Sequence, residues 1–260
     1  MWDPAQYLHF ADERSRPFYD LTGRIAATAP AYVVDLGCGP GQLTASLSAR
    51  WPAAEILGID SSAAMIETAQ AAGYSGTGAG ARLSFAVGDV TDWQPERPVD
   101  VIVSNAVLQW VPGHLDLLPR WSGFLADDGW IAFQVPGNLD QPVHALLREL
   151  AYSDEWRGKL GGIELNRQAG DPADYLDRLA GLGLSVDAWE TTYLHVLPGE
   201  DPVTDWYSGT GMRPALAALD AADAAEFTRQ YSERIRKIYP AQPFGTVLPF
   251  RRVFVVARKA

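Results

Sequence analysis

The residues with the clearest chemistry form one run, Asp35-Leu36-Gly37-Cys38-Gly39-Pro40-Gly41-Gln42, directly after the apolar stretch Tyr32-Val33-Val34. Glycines at alternate positions let backbone approach a bound molecule closely, because a Cβ would collide with it or forbid the turn. The run lacks the last glycine of the dinucleotide pattern, since Gln42 stands there, so nothing in it demands a pyrophosphate. Two more acids follow similar apolar runs: Asp60 in Gly58-Ile59-Asp60 and Asp89 in Gly88-Asp89-Val90. At the first position a carboxylate can accept both hydroxyls of a ribose. At the second it can accept from an adenine amino group. Each also has a plain structural use: Asp60 could cap a helix, although Ser61 and Ser62 are available for that, and Asp89 could be a turn residue. Asn105, Ala106 and Gln109-Trp110 follow a fourth apolar run. Cys38 reads as a small packing residue and Met65 as helix core.

These acids lie at the ends of strands if the chain alternates strand and helix, and its pattern says that it does. Residues 32–36, 55–59, 83–87, 99–104 and 130–135 read as strands. Residues 42–51 and 62–72 read as helices, and 114–125 as a helix broken near Pro119. That rhythm implies a parallel sheet with helices on both faces, with ligands beyond the carboxyl ends of the strands. After Gly137 the pattern changes. Helices are expected over 141–152, 173–182 and 220–239, strands over 185–196 and 252–257, and a lid-like loop over 153–171. The reading is one α/β domain: a core over about 31–137, an N-terminal lid over 1–20, and helical caps over about 138–183 and 200–240.

Composition narrows the partners. Thirty-two acidic against 21 basic side chains give a net charge of −11. That balance argues against a nucleic-acid face, which needs a basic footprint, and against anionic lipid. The single cysteine excludes an internal disulfide, and the four histidines lie too far apart for a local zinc site, so no metal is expected. Residues 1–16 have no apolar core of the signal-peptide kind, and no run reaches the ~18 apolar residues of a membrane span. A cytoplasmic protein, with a monomer favoured, is the expectation. Eighteen of the 21 basic residues are arginines, a bias that codon usage explains as well as carboxylate gripping does.

The three acids at successive strand ends, with the glycine run, resemble class I S-adenosylmethionine-dependent methyltransferases over about residues 32–137. The resemblance implies a Rossmann-like, mostly parallel seven-stranded sheet with helices on both faces and helical insertions forming a lid. It implies S-adenosylmethionine as cofactor, with S-adenosylhomocysteine as product. The cofactor-binding positions it implies are Asp35, Gly37, Cys38, Gly39, Gln42, Asp60, Ser61, Met65, Gly88, Asp89, Val90, Asn105, Ala106, Gln109 and Trp110. In the family the counterpart of Asp35 neighbours the methionine moiety or orders the loop, and an apolar residue near Met65 lies under the adenine.

Methyl transfer from a sulfonium is an in-line displacement that gains most from proximity and alignment. A hydroxyl or amine acceptor needs a base, whereas a carboxylate is ionised at neutral pH. No histidine follows the fourth strand, and His144 and His195 read as packing, so no residue is assigned as acid or base and a carboxylate acceptor is favoured. Tyr7-Leu8-His9-Phe10 with Glu13-Arg14-Ser15-Arg16-Pro17, Leu108-Gln109-Trp110-Val111-Pro112, Trp189-Glu190-Thr191-Thr192-Tyr193, and Pro249-Phe250-Arg251-Arg252 make the likeness closer to those family members that esterify trans-aconitate. The segment 75–81 departs from it as an inserted loop. That resemblance implies a small tricarboxylate substrate and a monomethyl ester product. The reacting carboxylate should escape a tight ion pair, which would stabilise the ground state more than the forming ester. Arg14, Arg16, Arg213 and Arg252 are therefore candidates for the other two carboxylates, with Tyr7, Tyr193 and His195 as neutral donors and Phe10 excluding water. Other small carboxylic acids remain an alternative substrate. An NAD-dependent oxidoreductase is an alternative class, disfavoured by Gln42, by Asp89 and by the lack of a suitably spaced Lys-Tyr or His pair. A binding module without catalysis is the third reading.

Overall fold

Every residue of the first strand, β1 (Tyr32–Leu36), is buried, as expected of a strand covered on both faces. The structure, a computed structural model, describes residues 11–74, 82–165 and 169–260, with side chains from Ser15 onward. Strand β1 lies between two parallel neighbours. On one side is β2 (Glu55–Asp60), with Tyr32 opposite Glu55 and Leu36 opposite Ile59. On the other is β4 (Val99–Asn105), with Val33 opposite Val101 and Asp35 opposite Val103. Strands β3 (Arg82–Val87) and β5 (Leu125–Pro136) continue the parallel set outward. With β6 (Leu184–Leu197) and β8 (Gly245–Lys259) the order is β3-β2-β1-β4-β5-β8-β6. A two-residue strand, β7 (Ala241–Gln242), pairs antiparallel with the start of β8 and makes eight strands where seven were expected.

In chain order the helices among the described residues are α1 (Ala11–Thr22), ahead of the first strand, then α2 (Gln42–Arg50), α3 (Ala63–Ala71), α4 (Leu117–Gly123), α5 (Pro142–Ala151), α6 (Arg157–Leu160), α7 (Pro172–Ala180), α8 (Pro202–Ser208), α9 (Arg213–Ala217) and α10 (Ala221–Ile238). Phe18, Leu21, Thr22 and Ile25 are buried along one side of α1 and the turn after it, the i, i+3, i+4, i+7 spacing of an amphipathic helix. Helix α2 buries Thr44, Leu47 and Ser48, and the Trp51 indole that follows it donates to the Ala27 carbonyl at 3.0 Å.

Contacts divide the chain into two compact units. The first comprises Met1–Val135, Ala169–Thr191 and Val253–Ala260, and the second Pro136–Gln168 and Thr192–Arg252. The first has a core of Val34, Leu36, Ile102, Trp121, Phe133, Tyr175 and Val255. In the second, Phe227, Tyr231 and Ile235 of α10 are buried, and the Tyr231 hydroxyl donates to the Val143 carbonyl at 2.9 Å.

Two expectations need correction. Pro119 does not break its helix: it sits in the first turn of α4, where no intrahelical N–H is required, after a 3-10 turn over His114–Asp116. Residues 153–165 are not a free lid. Trp156 is buried edge-on against Phe227 at 5.2 Å, its indole donates to Gln230 at 3.1 Å, and Leu160 is buried one turn later. The glycines and charges around that i, i+4 pair obscured it. Helices α8 and α9, together burying Trp206, Tyr207 and Ala215, carried no clear periodicity because each is under two turns long. The proposed loop insertion at 75–81 lies outside the described residues.

Candidate functional site

The sheet order reverses at β1 and β4, and α/β sheets bind ligands beyond the strand ends at such a switch point. A cleft opens there, lined by Phe18, Asp35, Gly37, Cys38, Gly39, Pro40, Gln42, Leu43 and Asn105. All belong to the first compact unit.

The loop after β1 is built around two glycines with different duties. Gly37 has φ of +83° and its N–H donates to the Ile59 carbonyl at 2.7 Å. A Cβ on Gly37 would lie 2.0 Å from Val107 Cγ2, so the protein's own packing requires this glycine. Gly39 has φ of +55°, and a Cβ there would meet nothing within 4 Å. The space over Gly39 is open for a ligand to approach the backbone.

Asp60 ties this loop to the next helix. Its Oδ2 accepts from the Gly39 N–H at 2.9 Å and its Oδ1 from the Ser62 N–H at 2.9 Å. Ser62 occupies the N-cap position of α3, one of the two serines available for it, but its side chain makes no capping bond, and Ser61 is exposed. Met65 is buried in the first turn of α3. Gly88 donates its N–H to the Asp60 carbonyl at 3.0 Å, which brings the end of β3 beside the end of β2. Asp89 is exposed there, and its Oδ1 accepts from the Thr91 N–H at 2.8 Å and the Thr91 hydroxyl at 2.7 Å. Those two bonds hold its carboxyl below the usual range. Val90 is buried beside it.

The end of β4 supplies the opposite wall. Ala106 adopts φ of +57°, unusual for a residue with a side chain, and is held by its N–H donating to the Gln134 carbonyl at 2.9 Å. Its own carbonyl accepts from Gln109 Nε2 at 2.7 Å. The Asn105 Oδ1 and Gln109 Oε1 atoms are buried and find no hydrogen-bond partner among the described residues. Buried acceptors of this kind are uncommon and call for a donor. Trp110 lies at the surface, 36% exposed.

Electrostatically the cleft is acidic. Asp35 is 3% exposed, and burial pushes its carboxyl up to about 7, opposed by the Thr44 hydroxyl and reinforced by the negative charge of Asp60. Burial also pushes the Cys38 thiol up, with Asp35 and Asp60 adding to the effect, so Cys38 is no nucleophile. Among the described residues no basic side chain lines the cleft.

The residues expected to grip a substrate fall in several places. Tyr7 and Phe10 lie outside the described residues, as does the Arg14 side chain. Arg16 is exposed on α1, 3.8 Å from Asp20. In the second unit, Tyr193 and His195 sit two apart on β6, both buried, their rings parallel at 5.9 Å. His195 also stacks on Trp206 at 5.1 Å, Phe250 lies 5.7 Å from Trp206, and the buried Arg252 guanidinium lies 4.4 Å over the Phe250 ring. Arg213 is half-buried at the start of α9. Phe18, Pro40 and Leu43 of the cleft, Thr44 behind Asp35, and Trp206 were not foreseen. The apolar spacing of Phe18, Leu21 and Ile25 is the signal that pointed to the first of them.

The comparisons agree with this geometry. A family model described as a methyltransferase domain matches residues 33–129. The chain is 54% identical to a trans-aconitate 2-methyltransferase of Streptomyces avermitilis, covering 99% of this chain and 97% of that protein. It is 48% identical to one of Rhodococcus jostii, covering 99% of each. Among solved structures, a putative methyltransferase from Bacillus halodurans aligns with a TM-score of 0.59 at 11% identity, over 94% of this chain and 99% of that one. A phosphoethanolamine N-methyltransferase of Haemonchus contortus, in complex with S-adenosylhomocysteine, aligns with a TM-score of 0.57 at 14% identity, over 94% of this chain and 52% of that one. These structural likenesses show the fold alone.

Proposed function

The chain belongs to the trans-aconitate 2-methyltransferase family, and from that premise we propose that it esterifies one carboxylate of trans-aconitate with the methyl group of S-adenosylmethionine. One observation carries the cofactor reading beyond the family. The cleft offers buried Asp35 and the Asn105 side-chain carbonyl, with the Asp60 carboxylate behind Gly39 and no basic side chain among the described residues. Such a lining suits a cationic molecule with N–H donors and opposes the two negative charges of a pyrophosphate, which speaks against the NAD-dependent alternative.

When bound, S-adenosylmethionine supplies an electrophilic methyl on a sulfonium, a good leaving group. In this reading Asp60 and Asp89 accept from its ribose and adenine, Met65 and Val90 give an apolar surface to the base, and Gly39 lets the backbone approach while Gly37 shapes the loop against Val107. Ser61, Gly88, Gln42, Cys38, Ala106 and Trp110 complete the surroundings. Asp35, Asn105 and Gln109 present acceptors to the cationic end. The acceptor carboxylate is already ionised at neutral pH, so no general base is assigned. His144 lies edge-on to Tyr207, which supports a packing role for it, and His195 stacks on Trp206, which supports a fixed ring and no role as a base. Arg213 and Arg252, with Tyr193 and His195, are assigned to the two carboxylates that do not react. Arg14, Tyr7 and Phe10 are assigned to a lid, and Arg16, 69% exposed beside Asp20, is the weakest of the candidates. The net charge of −11 supports an enzyme that works away from nucleic acid and anionic lipid.

The test is methyl acceptance by the purified chain, read by mass spectrometry across a panel of di- and tricarboxylates that includes trans-aconitate and isocitrate. Trans-aconitate monomethyl ester should form with the highest kcat/KM. Ester formation only from another acid replaces the substrate. Tight NAD binding without S-adenosylhomocysteine binding removes the methyltransferase reading altogether.

A further inference from the structure

Four threonines in or beside helices, Thr22, Thr68, Thr210 and Thr228, donate their hydroxyls to the carbonyl four residues back. Thr44, the third residue of α2, is different. It is fully buried, and its hydroxyl donates sideways to Asp35 Oδ2 at 2.6 Å, joining the first turn of α2 to the last turn of chain before the glycine loop. A β-branched side chain in a helix has few rotamers, so this hydroxyl is held in place by the backbone that carries it.

The surroundings of Asp35 give that bond a purpose. The titratable groups facing it are Asp60 from β2, whose negative charge opposes its ionisation, and the Cys38 thiol from its own loop, which burial and the two acids keep neutral. The α1 and β4 sides of the cleft contribute Phe18 and Asn105, which carry no charge. Thr44 is the neutral donor that favours the carboxylate, because a hydrogen bond to the charged form of an acid stabilises that form. Among the described residues no basic side chain lines the cleft, so a cationic ligand there would meet a buried acid with an anionic neighbour.

We propose that Thr44 is a positioning residue for the cationic cofactor: by donating to Asp35 Oδ2 it fixes that carboxylate as an ionised acceptor in the cleft and so sets the pH above which the cofactor binds. The proposal rests on the cofactor reading given above. Thr44 touches no reacting atom and acts through Asp35 alone.

Calorimetric titration of S-adenosylmethionine, without acceptor, and of S-adenosylhomocysteine tests this across pH values on both sides of 7, using the full chain, Thr44→Val, Thr44→Ser and Asp35→Asn. For the unaltered chain, affinity for S-adenosylmethionine should rise with pH more steeply than affinity for the product, which lacks the sulfonium charge. Thr44→Val should move the midpoint of that rise to higher pH and weaken binding about tenfold at neutral pH, in line with the loss of one hydrogen bond to a charged group. The deficit should shrink in alkali, where Asp35 ionises without help. Thr44→Ser should keep the original midpoint, and Asp35→Asn should flatten the profile. A Thr44→Val chain whose thermal midpoint falls while its pH midpoint stays put has lost only packing, and the proposal is overturned. If the unaltered chain binds neither molecule at any pH, the cofactor reading itself fails, a result distinguishable from an unmoved midpoint.

Discussion

Gly37→Ala should damage the protein before any ligand is involved, and the damage should be repaired in part at a residue seventy positions away. The new Cβ would sit 2.0 Å from Val107 Cγ2 and 3.0 Å from Val107 Cγ1, with the backbone at φ of +83°. The left-handed conformation costs a residue with a Cβ about 1–2 kcal/mol. Overpacking adds about 1–3 kcal/mol, so the single change should cost about 2–5 kcal/mol. Val107→Ala alone removes two methyl groups from a half-buried site, worth about 1–2 kcal/mol. The double variant removes the methyls that clash but keeps the backbone strain, so its loss should fall short of the sum of the two by about 1–3 kcal/mol. Thermal or urea unfolding of the cofactor-free chain and its three variants gives all four corners of this cycle. Strict additivity would mean that Gly37 is required for its φ alone and that the approach of Val107 has no energetic consequence. Gly39→Ala is the control: with nothing within 4 Å of the new Cβ, only the backbone cost of about 1 kcal/mol should appear.

Three other outcomes follow from the same geometry. Asp60→Ala removes the acceptor of the Gly39 and Ser62 N–H groups; S-adenosylhomocysteine affinity should fall by about 1.5–3 kcal/mol per lost charged bond, and an unchanged affinity with a lower melting point would reduce Asp60 to a loop tie. Because the Asp35 carboxyl is raised from 3.8 to about 7 in the folded chain, its contribution to stability is present below about pH 4 and is lost as pH rises through about 7. The melting point of the cofactor-free chain should therefore decline over that window, and Asp35→Asn should remove most of the decline; an identical slope in the variant would contradict the assignment. Arg252→Ala should raise KM for trans-aconitate far more than KM for the cofactor, and equal increases in both would place Arg252 in the structure and not at the substrate.

The alternation of buried strands and helices from residue 32 to residue 136 was legible because each unit of it is local. A strand, its turn and the next helix are contiguous, and period and composition carry them. The glycine run and the acids at the ends of β2 and β3 were found the same way. Elements in the second compact unit were harder, since α6, α8 and α9 each span two turns or fewer and leave little periodicity to read. Their burial depends on partners such as Phe227, which lies far along the chain from Trp156.

By itself the amino-acid sequence determined which chemical groups stand at the strand ends, because those positions follow from backbone pattern over a few residues. It also determined the acidic balance of the chain. Only the tertiary structure decided what those groups have become. It placed Val107 against Gly37, Phe18 in the cleft wall and Thr44 against Asp35, and it buried the Asn105 and Gln109 side-chain carbonyl oxygens with no donor among the described residues. A carboxyl group's charge state depends on water excluded and neighbours supplied by segments remote in sequence. That is why Asp35 could be recognised as an acid from the sequence, while its titration near neutral pH emerged only when β1, β2 and α2 were brought together.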